Sequence, residues 1–328
     1  KAESKLIENW NENIQINLKG FSGSKVQVIR SEQKTFVRKT AKDRSNNNRI
    51  QKEIEKMRRL SEISECSNDF KIPNIQSVRE NDDGLMVYEL DFIPGESLDH
   101  CLYKLNSEKI KFFAKKLGKI IETISEKSST SETNQHDFIL QKFNELISEL
   151  NKKKDYTNLV TELFNEYKEK IKNLKIDKIS PHNKPTFCHG DLSLDNIIIT
   201  RQNQMYLIDP LHNDFENFMW DYAKVFQSSM THWNLIKYHN FQISSTKKKV
   251  QIKPNEHITM FHQHFLENLS MDNSPELIIY LAATLSRVAK YAKSDKQLAA
   301  LLILINELLT NYSNGKCELN GTLNSLRW

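Results

Sequence analysis

The sequence predicts an α+β fold: a small antiparallel-sheet region with one helix, then a larger, mostly helical region. Three observations carry this. Residues 1–98 alternate short apolar runs with polar turns, the pattern of paired strands. Beyond residue 98, apolar positions recur at helical spacing over long segments. Between two helical blocks, short apolar runs at 187–188, 197–199 and 206–208 deliver His189, Asp191, Asn196 and Asp209.

Residues 25–30 and 34–39 are strand-like and joined by a polar turn, which reads as a hairpin. A helix is expected over 50–63, where Ile50, Ile54, Met57, Leu60 and Ile63 share one face. Strands at 75–79 and 84–90 flank the turn Asn81-Asp82-Asp83-Gly84. The stretch Phe92-Ile93-Pro94-Gly95-Glu96-Ser97-Leu98 breaks the pattern and reads as a connection, so residues 1–98 and 99–328 are expected as two domains. Helices are expected at 107–126, 137–152 and 156–173. Ser274-Pro275-Glu276 is a helix start, with a capping serine and a proline in the first turn. Ser294-Asp295-Lys296-Gln297 resembles a capping box ahead of an apolar helix at 298–309.

A chain of 328 residues, 38% hydrophobic and 27% charged, has the material for a sizeable core. The net charge of +5 is modest. Lys109, Lys111, Lys115, Lys116 and Lys119 fall opposite the apolar face of Ile110, Phe113, Ala114, Leu117, Ile121 and Ile124. They read as a solvated helix face, and no nucleic-acid partner is expected. The longest apolar run, 298–305, is too short to span a bilayer, and residues 1–20 are polar and charged without a secretory pattern. Cys66, Cys101, Cys188 and Cys317 have no pairing rhythm and read as reduced thiols, Cys188 as a buried spacer. A cytoplasmic protein without membrane insertion is expected.

The chemistry concentrates in 187–210. His189-Gly190-Asp191 follows an apolar strand, Asn196 comes five residues after Asp191, and Asp209 thirteen residues after Asn196. One carboxylate to orient an attacking hydroxyl, with an amide and a carboxylate to hold Mg²⁺, is the spacing of phosphoryl transfer. With Trp220-Asp221-Tyr222-Ala223-Lys224, this stretch resembles the aminoglycoside phosphotransferase and choline kinase branch of the protein-kinase-like fold. Its texture is also similar to kinase-like proteins of bacterial surface-polysaccharide synthesis.

The resemblance implies a bilobal fold whose N-lobe, residues 1–98, covers the nucleotide, with catalytic loop 187–210 and acceptor-binding helices in the C-lobe, residues 99–328. It implies ATP and Mg²⁺ as cofactors, GTP being the open alternative, and phosphorylation of an alcohol. Asp191 is the catalytic position, Asn196 and Asp209 the metal ligands, and His189 and Asp221 structural supports. Gly20-Phe21-Ser22-Gly23-Ser24-Lys25 stands where the family covers the phosphates, which marks Ser22, Gly23 and Ser24. Phe36-Val37-Arg38-Lys39 supplies the phosphate-gripping cation, with Lys39 favoured over Arg38 and Glu53 favoured over Glu55 as its partner. Adenine is expected against the backbone of Asp91, Phe92 and Ile93. Pro210 departs from the family's common Phe and argues against a flipping loop.

Trp220 comes only eleven residues after Asp209, which favours a small acceptor over a peptide. Residues 211–328 carry 10 acidic and 12 basic residues, a mild argument against a polycationic acceptor. His212, Asp214 and Glu216 follow the metal-binding Asp and are expected at the acceptor, as is Arg287, which with Lys290 suits an anionic group. Trp220, Tyr222, Trp233, Tyr238 and Tyr291 offer a choline cage only if they converge. A sugar or surface-polysaccharide precursor is the leading acceptor. An aminoglycoside or choline-type kinase, a nucleotide-binding regulatory pseudoenzyme and an atypical protein kinase are the alternatives.

Overall fold

The computed structural model describes residues 15–18, 24–30, 34–129, 133–153, 155–176, 184–267, 275–316 and 326–327. The chain divides into two compact units: residues 1–96 with 198–212, and residues 97–197 with 213–328.

In the first unit, β1 (Gln15–Leu18), β2 (Ser24–Arg30), β3 (Thr35–Ala41), β4 (Ile75–Glu80) and β5 (Met86–Asp91) form an antiparallel sheet in the order β1-β2-β3-β5-β4. Helix α1 (Asn47–Ser67) buries the expected stripe of Ile50, Ile54, Met57, Leu60 and Ile63. It runs four residues past the expected end because Asn68, at φ 58°, takes the left-handed cap and donates its N–H to Ser64 O. The Asn47 side chain donates to Gly84 O and accepts from Met86 N, so the helix start is tied to the β4–β5 turn.

A second, three-stranded sheet joins β6 (Gly95–Ser97), β7 (Ile197–Thr200) and β8 (Met205–Leu207). Gly95 permits this pairing, since a Cβ there would lie 2.5 Å from Ile199 O. Lys71 binds the hairpin to the first unit by donating its N–H to Met205 O and accepting from Leu207 N, both at 2.9 Å. Asp209 is thereby held at a fixed distance from the end of a pinned strand.

The second unit is helical: α2 (Leu98–Cys101), α3 (Ser107–Ser125), α4 (Gln135–Asn151), α5 (Asn158–Lys172), α6 (Met219–Ser229), α7 (Trp233–Lys237), α8 (Glu256–Glu267), α9 (Pro275–Ala289) and α10 (Asp295–Ser313). Strands β9 (Gln242–Ser244), β10 (Lys249–Gln251) and β11 (Leu326–Arg327) form a small sheet beside them. The lysines of α3 stand on its outer face while Ile110, Phe113, Ala114, Leu117, Ile121 and Ile124 are buried. The expected cap of α10 is present: Ser294 Oγ accepts from Gln297 N at 3.1 Å, and Gln297 Oε1 accepts from Lys293 N at 2.8 Å. The expected serine cap of α9 at Ser274 lies outside the described residues. Among the described residues no helix is long and apolar enough to cross a membrane, and Cys66, Cys101 and Cys188 are not in disulfides.

Helix α6 is buried along its whole length. Its polar residues must therefore find partners inside the unit. Asp221, Lys224 and Ser228 find theirs in the loop at 189–194, while Ser229 turns to His262 and Gln227 to Lys224.

Burial and the neighbouring Asp195 carboxylate push the Asp99 carboxyl up to about 7. A carboxyl raised above its unfolded value favours the folded state when protonated and opposes it when ionised. Its contribution is therefore lost as pH rises from the unfolded value near 4 through about 7. Asp99→Asn is expected to raise the melting temperature at pH 8 and to leave it almost unchanged at pH 4, read by thermal denaturation at the two pH values.

Candidate active site

In the first unit, strand alternation sends Arg38 and Lys39 to opposite faces of the sheet. Arg38 pairs with its cross-strand neighbour Glu89, Nη2 to Oε1 at 2.7 Å. Lys39 is buried on the other face, with Nζ 2.5 Å from Glu53 Oε1 and 2.6 Å from Asp209 Oδ1. Burial alone would lower the Lys39 pKa, but the Asp209 and Glu53 carboxylates and Tyr88 outweigh it and hold it well above the ordinary value. Tyr88, the cross-strand neighbour of Lys39, donates its hydroxyl to Glu53 Oε1 at 2.6 Å.

One helical turn beyond Glu53, Lys56 donates to Leu211 O at 2.7 Å. Helix α1 thus holds both the lysine that reaches Asp209 and the backbone just after it. Asp209 sits at φ 56° before Pro210, a conformation disfavoured for a non-glycine residue and more so ahead of proline. A pinned strand on one side and Lys56 on the other maintain it, as expected where local strain serves a site.

Asp91 ends β5 and opens the connection that the sequence marks for adenine. Asp91 donates its N–H to Asn74 O at 3.0 Å, and its carboxylate accepts from Asn74 Nδ2 and Gln76 Nε2. Asp91, Phe92 and Ile93 are all half-buried. Ser24 is the buried first residue of β2, and Ser22 and Gly23 lie outside the described residues.

In the second unit, Asp221 organises the loop. It is fully buried, and each carboxylate oxygen accepts one backbone amide, His189 N to Oδ2 and Gly190 N to Oδ1, both at 2.7 Å. Gly190 has φ 83°, which a side chain would oppose. His189 is fully buried and its Nδ1 lies 3.4 Å from Asp191 N, the geometry of a structural support. Asn196 Nδ2 donates to Asp191 O at 2.8 Å and to Oδ2 at 3.3 Å. The amide nitrogen faces the loop, which turns the hard carbonyl oxygen of Asn196 away from it, as a Mg²⁺ ligand requires.

Lys224 is the residue that sequence reasoning passed over. It follows Asp221 by one helical turn, is buried, and places Nζ 2.8 Å from Asp191 Oδ1. Ser228, one further turn along the same face, accepts Leu194 N at 3.2 Å. The signal was available: once Asp221 is taken as a loop brace, positions 224 and 228 fall on the same side of the helix. Burial favours the protonated Asp191, but Lys224 and Arg287 outweigh it and hold the carboxyl at about 2. Arg287 Nη2 is 3.8 Å from the same oxygen.

The expected acceptor residues divide. Arg287 lies beside Asp191. Glu216 is instead buried, accepting Ser129 Oγ at 2.8 Å and, through its carbonyl, Thr186 N. It braces the approach to the loop because its neighbours Phe215 and Asn217 are also core residues. His212 is exposed in the first unit and Asp214 half-buried in the second. The aromatic residues do not form a cage: Trp220 and Tyr222 are core, while Tyr238 and Tyr291 are exposed. Two open concavities of about 300 and 530 Å³ in the second unit include neither Asp191 nor Arg287 in their walls, so concavity alone would have pointed elsewhere.

Lys39 and Arg38 are separable by experiment. Lys39→Met is expected to raise the nucleotide KM by about tenfold or more, since a charge-assisted contact is worth about 1.5–3 kcal/mol. Arg38→Met, on the face paired with Glu89, is expected to change it less than about threefold, both read by initial rates over a nucleotide titration.

Comparison with known families gives the class of the protein. The model of the phosphotransferase enzyme family (APH) matches residues 13–238. The chain belongs to that family. The match takes in Lys39, Glu53, Asp191, Asn196, Asp209, Asp221 and Lys224, and ends before α8, α9 and α10. This phosphotransferase, a kinase of hydroxyl acceptors, also shares its fold with solved structures. A candidate fructosamine-3-kinase from Haemophilus somnus is 16% identical, with 90% of this chain and 91% of that one covered and a TM-score of 0.57. The streptomycin-ATP complex of APH(2″)-IIa is 14% identical, with coverage of 98% and 97% and a TM-score of 0.54. A thermostable APH(4)-Ia with AMP-PNP and hygromycin B is 13% identical, with coverage of 96% and 99% and a TM-score of 0.57. They share the antiparallel-sheet region and helical region of a protein-kinase-like fold. A search of curated sequences returns no match.

Proposed function

We propose that this phosphotransferase transfers the γ-phosphate of ATP, with Mg²⁺, to a hydroxyl of a small sugar-like acceptor, such as a surface-polysaccharide precursor. The observation that carries the reading is the Asp191 loop: a carboxylate held ionised by Lys224, on a backbone pinned by both oxygens of Asp221. With its pKa at about 2, Asp191 is a weak base, so it orients the hydroxyl and receives its proton late. Lys39, held by Glu53, suits a nucleotide phosphate, and residues 1–98 are assigned to cover the nucleotide, with adenine against the backbone of Asp91, Phe92 and Ile93. Asn196 and Asp209 are the oxygen donors assigned to Mg²⁺, which when bound neutralises phosphate charge. A sugar acceptor is supported by the fold relatives, named for fructosamine and aminoglycosides, both of which carry sugar rings. A cytoplasmic site of reaction, where ATP is supplied, belongs to the same proposal.

The test is ATP consumption with Mg²⁺ against sugars, amino alcohols and aminoglycosides. Phosphorylation of a sugar-like acceptor supports the reading. Nucleotide binding without turnover of any acceptor would point to a regulatory module, and phosphate appearing on a seryl peptide would point to a protein kinase.

A further inference from the structure

The surroundings of Asp191 within the helical unit are basic. Lys224 on α6 and Arg287 on α9 both approach Asp191 Oδ1. Lys142 on α4 and Lys290, just beyond α9, both reach Glu145, at 3.1 and 2.5 Å. Helices α4 and α9 pack on one another, and the charges of Arg287 and Lys290 both act on Lys142. Among the described residues this group counts four cations against two carboxylates. The ammonium groups are engaged by those carboxylates. The Arg287 guanidinium, 25% exposed, makes no hydrogen bond among the described residues and meets Asp191 only at 3.8 Å.

Partly buried like charges repel, and a protein relieves the excess or uses it. Attraction to the C-terminal end of α9 accounts for basic residues at 287 and 290. It does not account for Lys142, in the middle of α4, which stands over the Phe138 ring and shares Glu145 with Lys290. A planar fork of free donors beside surplus positive charge is the usual receptor for a carboxylate or phosphate.

Resting on the proposed kinase reading, we propose that the acceptor carries an oxyanion, phosphate or carboxylate, bound by Arg287 with Lys142 and Lys290 while its hydroxyl faces Asp191. In the reaction, the acceptor oxygen forms a bond to the γ-phosphorus as the bond to the β,γ-bridging oxygen breaks. ADP leaves with that electron pair, and the hydroxyl proton leaves by way of Asp191 to solvent. The acceptor class is thus a sugar phosphate, polyol phosphate or uronic acid rather than a polycation.

The test uses the full chain with MgATP and matched acceptors: glucose, glucosamine, glucuronate and glucose 6-phosphate, and glycerol with glycerol 3-phosphate. Inorganic phosphate is titrated calorimetrically in parallel. Expected are a preference for the anionic member of a matched set and, in Arg287→Gln, a rise of about 10- to 100-fold in its KM. Lys142→Gln gives a smaller rise in the same direction and serves if Arg287→Gln does not fold. Phosphate and carboxylate acceptors separate within the panel. Neutral or cationic members used as well as anionic ones overturn the inference but leave the kinase reading standing. A rise in the KM for ATP instead of the acceptor also overturns it, since the cluster would then serve the nucleotide. If no acceptor is phosphorylated, the kinase reading fails and the phosphate titration decides. Binding weakened about tenfold by Arg287→Gln upholds the oxyanion site, and unchanged binding overturns it.

Discussion

Asp191→Ala is expected to lower kcat by about 10²- to 10⁴-fold while nucleotide binding persists, measured by initial rates and nucleotide titration. The carboxylate is the group that Asn196, Lys224 and the loop backbone together aim. Removing it also strips buried Lys224 of its counter-charge. Burial already lowers the Lys224 pKa, with Asp191 opposing that shift, so the variant's lysine should titrate lower still. Asp191→Asn separates these effects, since it keeps the shape and loses the charge. Because the wild-type carboxyl sits at about 2, the pH profile of kcat/KM should show no acid limb from it between pH 5 and 9. Its contribution to stability is present above the unfolded value near 4 and is lost as pH falls through about 2. An acid limb near pH 6 that disappears in Asp191→Asn would show that the residue works as a strong base, against the positioning role.

Asp221→Ala is expected to cost about 3–5 kcal/mol of stability, with a fall of roughly 10 °C in melting temperature. Two backbone amides, of His189 and Gly190, would lose their acceptors in a site from which water is excluded. Each orphaned donor costs about 1–3 kcal/mol, and no described neighbour replaces either oxygen. Activity should fall with stability, because the same amides set the direction of Asp191. Asp221→Asn offers one acceptor oxygen in place of two and should fall between. Thermal denaturation alongside kinetics reads both, and a variant as stable as wild type would mean that the loop holds itself.

Much of the fold was legible because its cause is local. The stripe from Ile50 to Ile63, the Asn81–Gly84 turn and the Ser294 cap are patterns of neighbouring residues, and each formed where expected. Helix α6 was not legible as a helix, since buried polar residues on every side leave no apolar stripe to read. The surroundings of Glu216 were hidden for a related reason: its position after Asp209 suggested a ligand contact, and only packing shows that it is buried and accepts from Ser129. The choice between Arg38 and Lys39 needed the register against β5, which gives Arg38 the Glu89 carboxylate and leaves Lys39 for Glu53.

From the sequence alone came the class of chemistry. His189-Gly190-Asp191, Asn196 and Asp209 lie close along the chain, so their spacing survives as pattern, and the match to the phosphotransferase family takes in the same stretch. The tertiary structure decided what surrounds Asp191. Lys142, Lys224 and Arg287 come from three helices far apart in sequence, and Lys290 from the residue after the last of them. Charge acts through space, and only the packed helices bring those charges together.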